Sequence, residues 1–219
     1  IAIDAMGGDN SPQKIIDGVV MFLVKNKKKN DFLLKLYGDE KKIYSELKKF
    51  TYPKHLLEII HTNNVISDEE TPLTAIKNSK NTSMWNCIKA QTEGEANISL
   101  SAGNTGVLLV ISRMILKMMS QVSRPALAGL WPNEKGMNVV LDLGANIECD
   151  DINLIDFAEL GSALYKSLFP NEKPLVALLN VGSEEIKGTD ILKKTYKKLS
   201  ELSNENNFIF NGYVEGNKI

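Results

Sequence analysis

Four short segments carry residue types at a spacing suited to chemistry on an anion. They are Ile3 to Asn10 (IDAMGGDN), Ser101 to Gly106 (SAGNTG), Leu141 to Asn146 (LDLGAN) and Asn180 to Gly188 (NVGSEEIKG). In each, glycine follows a short apolar run beside an Asn or Asp, and a segment of helical spacing comes soon after. Glycine lets the backbone approach a ligand closely, and the first N–H groups of a helix are unpaired donors with positive partial charge. Such turns favour a phosphate-like anion. SAGNTG is the best placed, because Asn104 falls at an N-cap and Thr105 at the first helical position, each with a side chain able to donate to phosphate.

The binding set expected on this basis comes from all four loops. It is Asp4, Gly7, Gly8, Asp9 and Asn10; Ser101, Gly103, Thr105 and Gly106 around Asn104; Asp142, Gly144 and Asn146; and Gly182 and Gly188. Lys187, with an acidic pair beside it, supplies a full positive charge, and Lys77 is a second candidate. Any α/β sheet has glycines and caps at its strand-to-helix corners, so one such loop carries little weight. In a parallel sheet those corners share one edge, and several similar loops can converge on one cleft.

Other chemistries lack their residues. His55 and His61 are the only histidines, and neither stands at ligand spacing from a cysteine or second histidine, so no metal site is expected. His61 ends a predicted strand, which makes it either a base or donor facing the cleft or a half-buried polar residue. Cys87 lies on a predicted helix, and Cys149 stands among Glu148, Asp150 and Asp151, a setting that raises a thiol pKa. GxSxG, GxxxxGK[ST] and GxGxxG are all absent. What remains needs no cofactor and no covalent intermediate: the bound anion is itself the nucleophile, and the protein positions it and stabilises developing charge.

The elements that must position these loops read as an α/β fold with a mostly parallel sheet, one domain over residues 1–219 with no linker. Strands are expected at Ile1–Asp4, Phe32–Tyr37, Leu56–His61, Asn97–Leu100, Ala126–Leu130, Asn138–Leu141, Leu175–Asn180 and Asn207–Phe210. A first helix is expected to start at Ser11 as N-cap with Pro12 at the first helical position, and a late one near Thr189. The segment after Asn104 is apolar nearly all round and should be buried in the fold or against a partner. The Lys25 to Lys29 run reads as a solvated helix end, and Met114, Met118 and Met119 as core or interface.

With 219 residues and 43% hydrophobic content the chain can bury a sizeable core. A net charge of −1 gives no electrostatic footprint for nucleic acid. Two distant cysteines suit a reducing cytosol, and no apolar run is long enough to span a bilayer. The chain opens directly on a strand, so a secretory signal is not expected and a missing initiator Met reads as trimming or disorder.

In order along the chain, IAIDAMGGDN, Lys77 with NSKNTSM, SAGNTG, RPALA (Arg124 to Ala128), LDLGANIEC, LLNVGSEEIKG and VEG (Val214 to Gly216) resemble the acyl-acyl carrier protein:phosphate acyltransferases of bacterial phospholipid synthesis. The resemblance implies a three-layer α/β/α fold similar to the isocitrate and isopropylmalate dehydrogenase group, and a homodimer. It implies conversion of an acyl carrier protein thioester and inorganic phosphate to acyl phosphate, which an acyl-phosphate:glycerol-phosphate acyltransferase then uses. A cytoplasmic location, with peripheral contact at the inner face of the cell membrane, goes with that role. The family continues into a carboxyl-terminal region with another glycine-rich loop and membrane-associating helices, which this sequence does not include. On this reading phosphate sits at the SAGNTG helix start, with Asn104 and Thr105 donating and Lys187 or Lys77 neutralising charge. The Gly7–Gly8 or Gly144 turns then serve the oxyanion, while Asp4, Asp9 and Asp142 orient lysines, accept the thiol-side hydrogen bonds or cap turns. Two rival readings are a nicotinamide-dependent, metal-assisted oxidoreductase of the same fold and a non-catalytic scaffold for the carrier protein.

Overall fold

The computed structural model describes residues 1–67, 70–134, 136–184, 187–203 and 208–218. The chain forms two compact units, Ile1–Lys117 and Met118–Ile219.

The first unit is a parallel sheet with helices on both faces. Its strands are β1 (Ala2–Asp4), β2 (Leu34–Gly38), β3 (Leu57–His61) and β4 (Ser99–Leu100), in the order β3-β2-β1-β4. Central β1 pairs Ile3 with Leu36 on one side and with Leu100 on the other. Side chains alternate along it. Ile3 and Ala5 face a cluster with Ile16, Val19, Val20 and Leu23 of α1 (Gln13–Lys25) and Ile43 and Leu47 of α2 (Glu40–Leu47). Ala2 joins Tyr37 and the Cys87 and Ala90 side of α4 (Ser83–Thr92). Met84 and Ile88 of α4 then pack on Val107 and Ile111 of α5 (Thr105–Leu116), which also meets the short α3 (Pro72–Asn78). Burying each large apolar side chain contributes about 1.5–3 kcal/mol, so the alternation of β1 fixes its register.

The α1 start departs from expectation. Pro12, not Ser11, is the N-cap, and it makes no side-chain cap bond. The Ser11 hydroxyl instead donates to the Met6 carbonyl at 2.7 Å, which closes the glycine loop on itself. α5 is less buried than its composition suggests, with only Val107 and Ile111 fully covered.

The second unit holds β5 (Ala128–Asn133), β6 (Gly136–Leu141), α6 (Asp151–Leu168), β7 (Leu175–Leu179), α7 (Asp190–Leu202) and β8 (Ile209–Val214). β5 and β6 form an antiparallel hairpin, a departure from the parallel pattern, while β7 and β8 are parallel. Between Val176 and Leu178 the β7–β8 register shifts, and β8 accommodates the extra residue near Gly212. α6 begins in a capping box made by Asp150 and Asn153, and α7 at Thr189, whose hydroxyl accepts from Leu192 N–H. Leu178, Leu199, Phe208 and Tyr213 form the core of this unit. Asn207, the first residue of the last expected strand, lies outside the described residues.

Candidate anion site

In the first unit two of the four loops interlock. β1 ends at Asp4, a buried residue 1% exposed, and the IDAMGGDN loop folds back over its carboxylate. Met6 N–H donates to Asp4 Oδ1 at 3.1 Å, and the Ser101 hydroxyl donates to Asp4 Oδ2 at 2.7 Å. Ser101 Oγ in turn accepts from Gly103 N–H at 3.2 Å. The two loops are thus clamped through one carboxylate at the carboxyl edge of neighbouring strands β1 and β4, where ligands of parallel sheets bind. Asp4 and Ser101 satisfy each other and so shape the site, and a carboxylate has no attraction for a phosphate.

Backbone crowding explains the glycines. A Cβ on Gly7 would stand 2.6 Å from Asp4 Oδ2, 2.8 Å from Gly103 N and 2.9 Å from Ser101 Oγ. Gly8 has φ +85°, and a Cβ there would meet the Ala102 carbonyl at 2.5 Å. Asp9 and Asn10 are exposed at the loop's outer side, with Asn10 at φ 58°.

The α5 start follows directly. Asn104 is the N-cap, and its Oδ1 accepts from Val107 N–H at 3.1 Å. Its Nδ2 donates to the Glu70 carbonyl at a long 3.4 Å. Pro72 lies against Gly106, whose Cβ would be 3.2 Å from Pro72 Cγ. Thr105 and Gly106 occupy the first turn, where helix N–H groups have no partner within the helix itself. The helix cap thus lies inside this loop itself. The start of α4 adds a feature not foreseen from sequence. Thr82 caps it, with its hydroxyl accepting from Trp85 N–H, and Met84 Cε lies 2.8 Å from a Cβ placed on Gly103. The Thr-Ser pair before an apolar run was the available signal.

His61 and Lys77 are also in this unit. His61 ends edge strand β3, two strands from β1 and so about 10 Å across the sheet. Its Nδ1 accepts from Glu40 N–H at 3.2 Å and its Nε2 pairs with Asn63 Oδ1 at 2.7 Å, so both nitrogens serve local structure. Lys77 is exposed on the last turn of α3. The Cys87 thiol is fully buried, donates to the Leu100 carbonyl, and is pushed up to about 12 by that burial. It has no nucleophilic form near neutral pH.

In the second unit the LDLGAN loop closes on the Asp142 carboxylate and is no helix start. Asp142, at φ 59°, accepts from Asn146 N–H and Nδ2 at 3.2 and 3.0 Å, and Gly144 sits at φ 83°. The next helix begins only at Asp151, behind the acidic cap Asp150. RPALA is bound to this loop: Arg124 Nη1 donates to the Glu148 carbonyl at 2.6 Å, and Asn146 Nδ2 to the Pro125 carbonyl at 2.9 Å. Arg124 therefore brings a cation to a loop otherwise rich in acids, a placement sequence reasoning had left out of the site. The thiol of Cys149 beside it is raised, first by burial and then by its bond to Asp142. In the NVGSEEIKG loop, Asn180 Nδ2 donates to the Gly182 and Lys187 carbonyls at 3.1 and 3.2 Å, and Gly188 has φ +95°. Lys187 is paired with Glu184 at 2.9 Å, which raises its pKa. Glu185, the other half of the acidic pair, lies outside the described residues.

Among the described residues no group of three metal-type side chains comes together, and no helix is long and apolar enough to cross a membrane. The fold has known likenesses. A phosphotransacetylase from Streptococcus pyogenes matches with a TM-score of 0.67 at 15% identity, over 98% of this chain and 68% of that one. The EutD phosphotransacetylase from Staphylococcus aureus matches with a TM-score of 0.60 at 17% identity, over 91% of this chain and 66% of that one. In sequence, the phosphate acyltransferase of Pelagibacter ubique is 50% identical over 219 residues, all of this chain and 64% of that protein. The phosphate acyltransferase of Parvibaculum lavamentivorans is 42% identical over 220 residues, covering 60% of its length. The chain thus spans about three-fifths of the curated relatives it matches. The family model described as fatty acid synthesis protein matches residues 1–219, and the chain belongs to that family.

Proposed function

We propose that the chain carries the phosphate-binding and acyl-transfer elements of a phosphate acyltransferase. Inorganic phosphate sits at the start of α5, beside the clamped Gly7–Gly8 and Ser101–Gly103 loops. One phosphate oxygen attacks the thioester carbonyl of an acyl-loaded carrier protein. A C–O bond forms, the C–S bond breaks, and the proton released from phosphate ends on the carrier thiol. The observation that carries this reading is the α5 start itself, a capped helix N-terminus opening from a glycine loop locked to a neighbouring one.

Asn104 has a defined part in it. Its Oδ1 accepts from Val107 N–H in the cap, and its Nδ2, which donates to the Glu70 carbonyl at a long 3.4 Å, turns to phosphate in the loaded site. Glycine-loop N–H groups serve the tetrahedral oxyanion, and each such donor typically contributes about 10²–10³ in rate. Lys77, exposed on the last turn of α3 in the same unit, is the cation this reading assigns to the phosphate.

The wider role rests on family membership and on the named relatives. The acyl phosphate passes to a glycerol-phosphate acyltransferase, and the protein works in the cytoplasm as a homodimer in peripheral contact with the membrane. The isocitrate-dehydrogenase type of layering and a single domain over residues 1–219 belong to the same proposal. The test is trapping with hydroxylamine: protein, acyl carrier thioester and phosphate should give acyl hydroxamate, and no product above a phosphate-free control would refute the reading.

A further inference from the structure

The short helix α3 packs against α5 and carries apolar side chains that cover nothing. Among the described residues none of its side chains joins a core cluster. Leu73 is 78% exposed and Ile76 39%. At the helical repeat Pro72, Ile76 and Leu73 share an arc of about 100°, with Lys77 next to Leu73. A helix of seven residues is marginal in water without a packed face, because its nucleation is costly. Thr71 supports its first turn, its hydroxyl accepting from Thr74 N–H at 3.3 Å, but the apolar stripe stays open.

That stripe begins at the anion site. Pro72 Cγ stands 3.2 Å from a Cβ placed on Gly106, in the first turn of α5, and the Glu70 carbonyl just before it accepts from Asn104 Nδ2. The same face of α5 continues one turn on at Val110, a half-buried residue outside the core clusters. The neighbouring chemistry names the occupant. For a phosphate oxygen at the α5 start to attack, the thioester carbonyl must come within about 3–3.5 Å of it, so the acyl carbons begin beside Gly106 and Pro72. A hydrocarbon leaving that point along α3 takes itself and the Leu73 and Ile76 side chains out of water together.

We propose that α3 is the acyl-chain contact of the site, with Leu73 and Ile76 packing on the first methylenes of the fatty acyl group while Lys77, on the same helix, serves the phosphate. Leu73 and Ile76 then set the preference for long over short acyl groups. The proposal rests on the acyl-transfer reading.

Two readouts test it. The first is chain-length preference, measured as hydroxamate formation from palmitoyl and acetyl carrier thioesters by the wild type, Leu73→Ser, Ile76→Ser and Leu73→Met. The ratio of palmitoyl to acetyl kcat/KM should fall about tenfold in each serine variant, as expected for one apolar side chain lost from the contact, and recover in Leu73→Met. An unchanged ratio would overturn the proposal. Both side chains are exposed in the free protein, so the urea midpoint should stay in place and separate this loss from misfolding. The second readout needs no turnover. A hexadecyl thioether of pantetheine with a diazirine on its third carbon is irradiated with the protein and phosphate, and the label is mapped by mass spectrometry. Label within residues 72–77 that drops in the serine variants is the expected result. Label confined to other segments would overturn the proposal, and label on α3 that fades as protein concentration rises would give the stripe to a second copy and overturn it too. Wild-type protein that labels on α3 yet forms no hydroxamate would refute acyl transfer alone and uphold the acyl contact.

Discussion

Replacing Gly7 by alanine tests the clamp between the two loops. The new Cβ would lie 2.6–2.9 Å from Asp4 Oδ2, Gly103 N and Ser101 Oγ, where ordinary contact begins near 3.4 Å. These neighbours must retreat by roughly 0.5–0.8 Å; Gly103 N is backbone, and the Asp4 and Ser101 oxygens end short side chains held by their hydrogen bonds. The 2.7 Å bond from Ser101 to Asp4 is the contact that opens first. Overpacking costs about 1–3 kcal/mol and a hydrogen bond to a charged group contributes about 1.5–3 kcal/mol. The two overlap, so the expected loss is about 2–4 kcal/mol, within a typical stability of about 5–15 kcal/mol. Gly18 is the control, since it lies in α1 with no atom within 4 Å of an added Cβ. Alanine there should stabilise by about 0.5–1 kcal/mol. Urea unfolding should move the two midpoints in opposite directions, and hydroxamate formation should fall about 10²-fold for Gly7→Ala alone. Wild-type stability in Gly7→Ala would show that the loops are not clamped as described.

Asn104 separates cap from ligand. Asn104→Ala should lose about 0.5–2 kcal/mol with the cap and weaken phosphate saturation, whereas Asn104→Asp should keep the cap and still lose phosphate binding by charge repulsion; calorimetry with phosphate reads both, and full phosphate binding by the aspartate variant would move the site elsewhere. Ser101→Ala leaves the Asp4 carboxylate and Gly103 N–H short of a partner and should cost about 1–3 kcal/mol in urea unfolding, with no loss counting against the clamp. Cys87 gives the pH dependence: its thiol is at about 12 when folded against the usual 9.0, so between those values the unfolded chain has released a proton that the native state still holds. Stability from this group is therefore full below pH 9 and falls by about 4 kcal/mol as pH rises to 12. Cys87→Ala should flatten that alkaline decline, and an unchanged decline would argue against a buried protonated thiol.

Much of the fold was legible because its signals are local. Apolar β-branched runs located the strands, and Asn104 and Thr189 were readable as caps because each side-chain oxygen bonds the N–H three residues on, a local interaction. Ser11 has the same chemistry but was misread, since the Met6 carbonyl takes its hydroxyl. The β5–β6 hairpin was missed although Pro132 to Gly136 carries turn residues, because both strands were read as members of a parallel series. The Asp4–Ser101 bond joins residues 97 apart and is visible only once β1 and β4 are neighbours. For LDLGAN the glycine and asparagine suggested a helix start, and the bonds from Asn146 to the Asp142 carboxylate show that the same residues also close a loop on themselves.

The central claim is that a phosphate held at the α5 start attacks an acyl thioester. The most direct test incubates the protein with a long-chain acyl carrier thioester labelled in the acyl group, with and without inorganic phosphate, and quantifies acyl hydroxamate after hydroxylamine trapping. Product that requires phosphate and drops in Asn104→Asp is the predicted result. Product formed equally without phosphate, or none with folded protein, would contradict it.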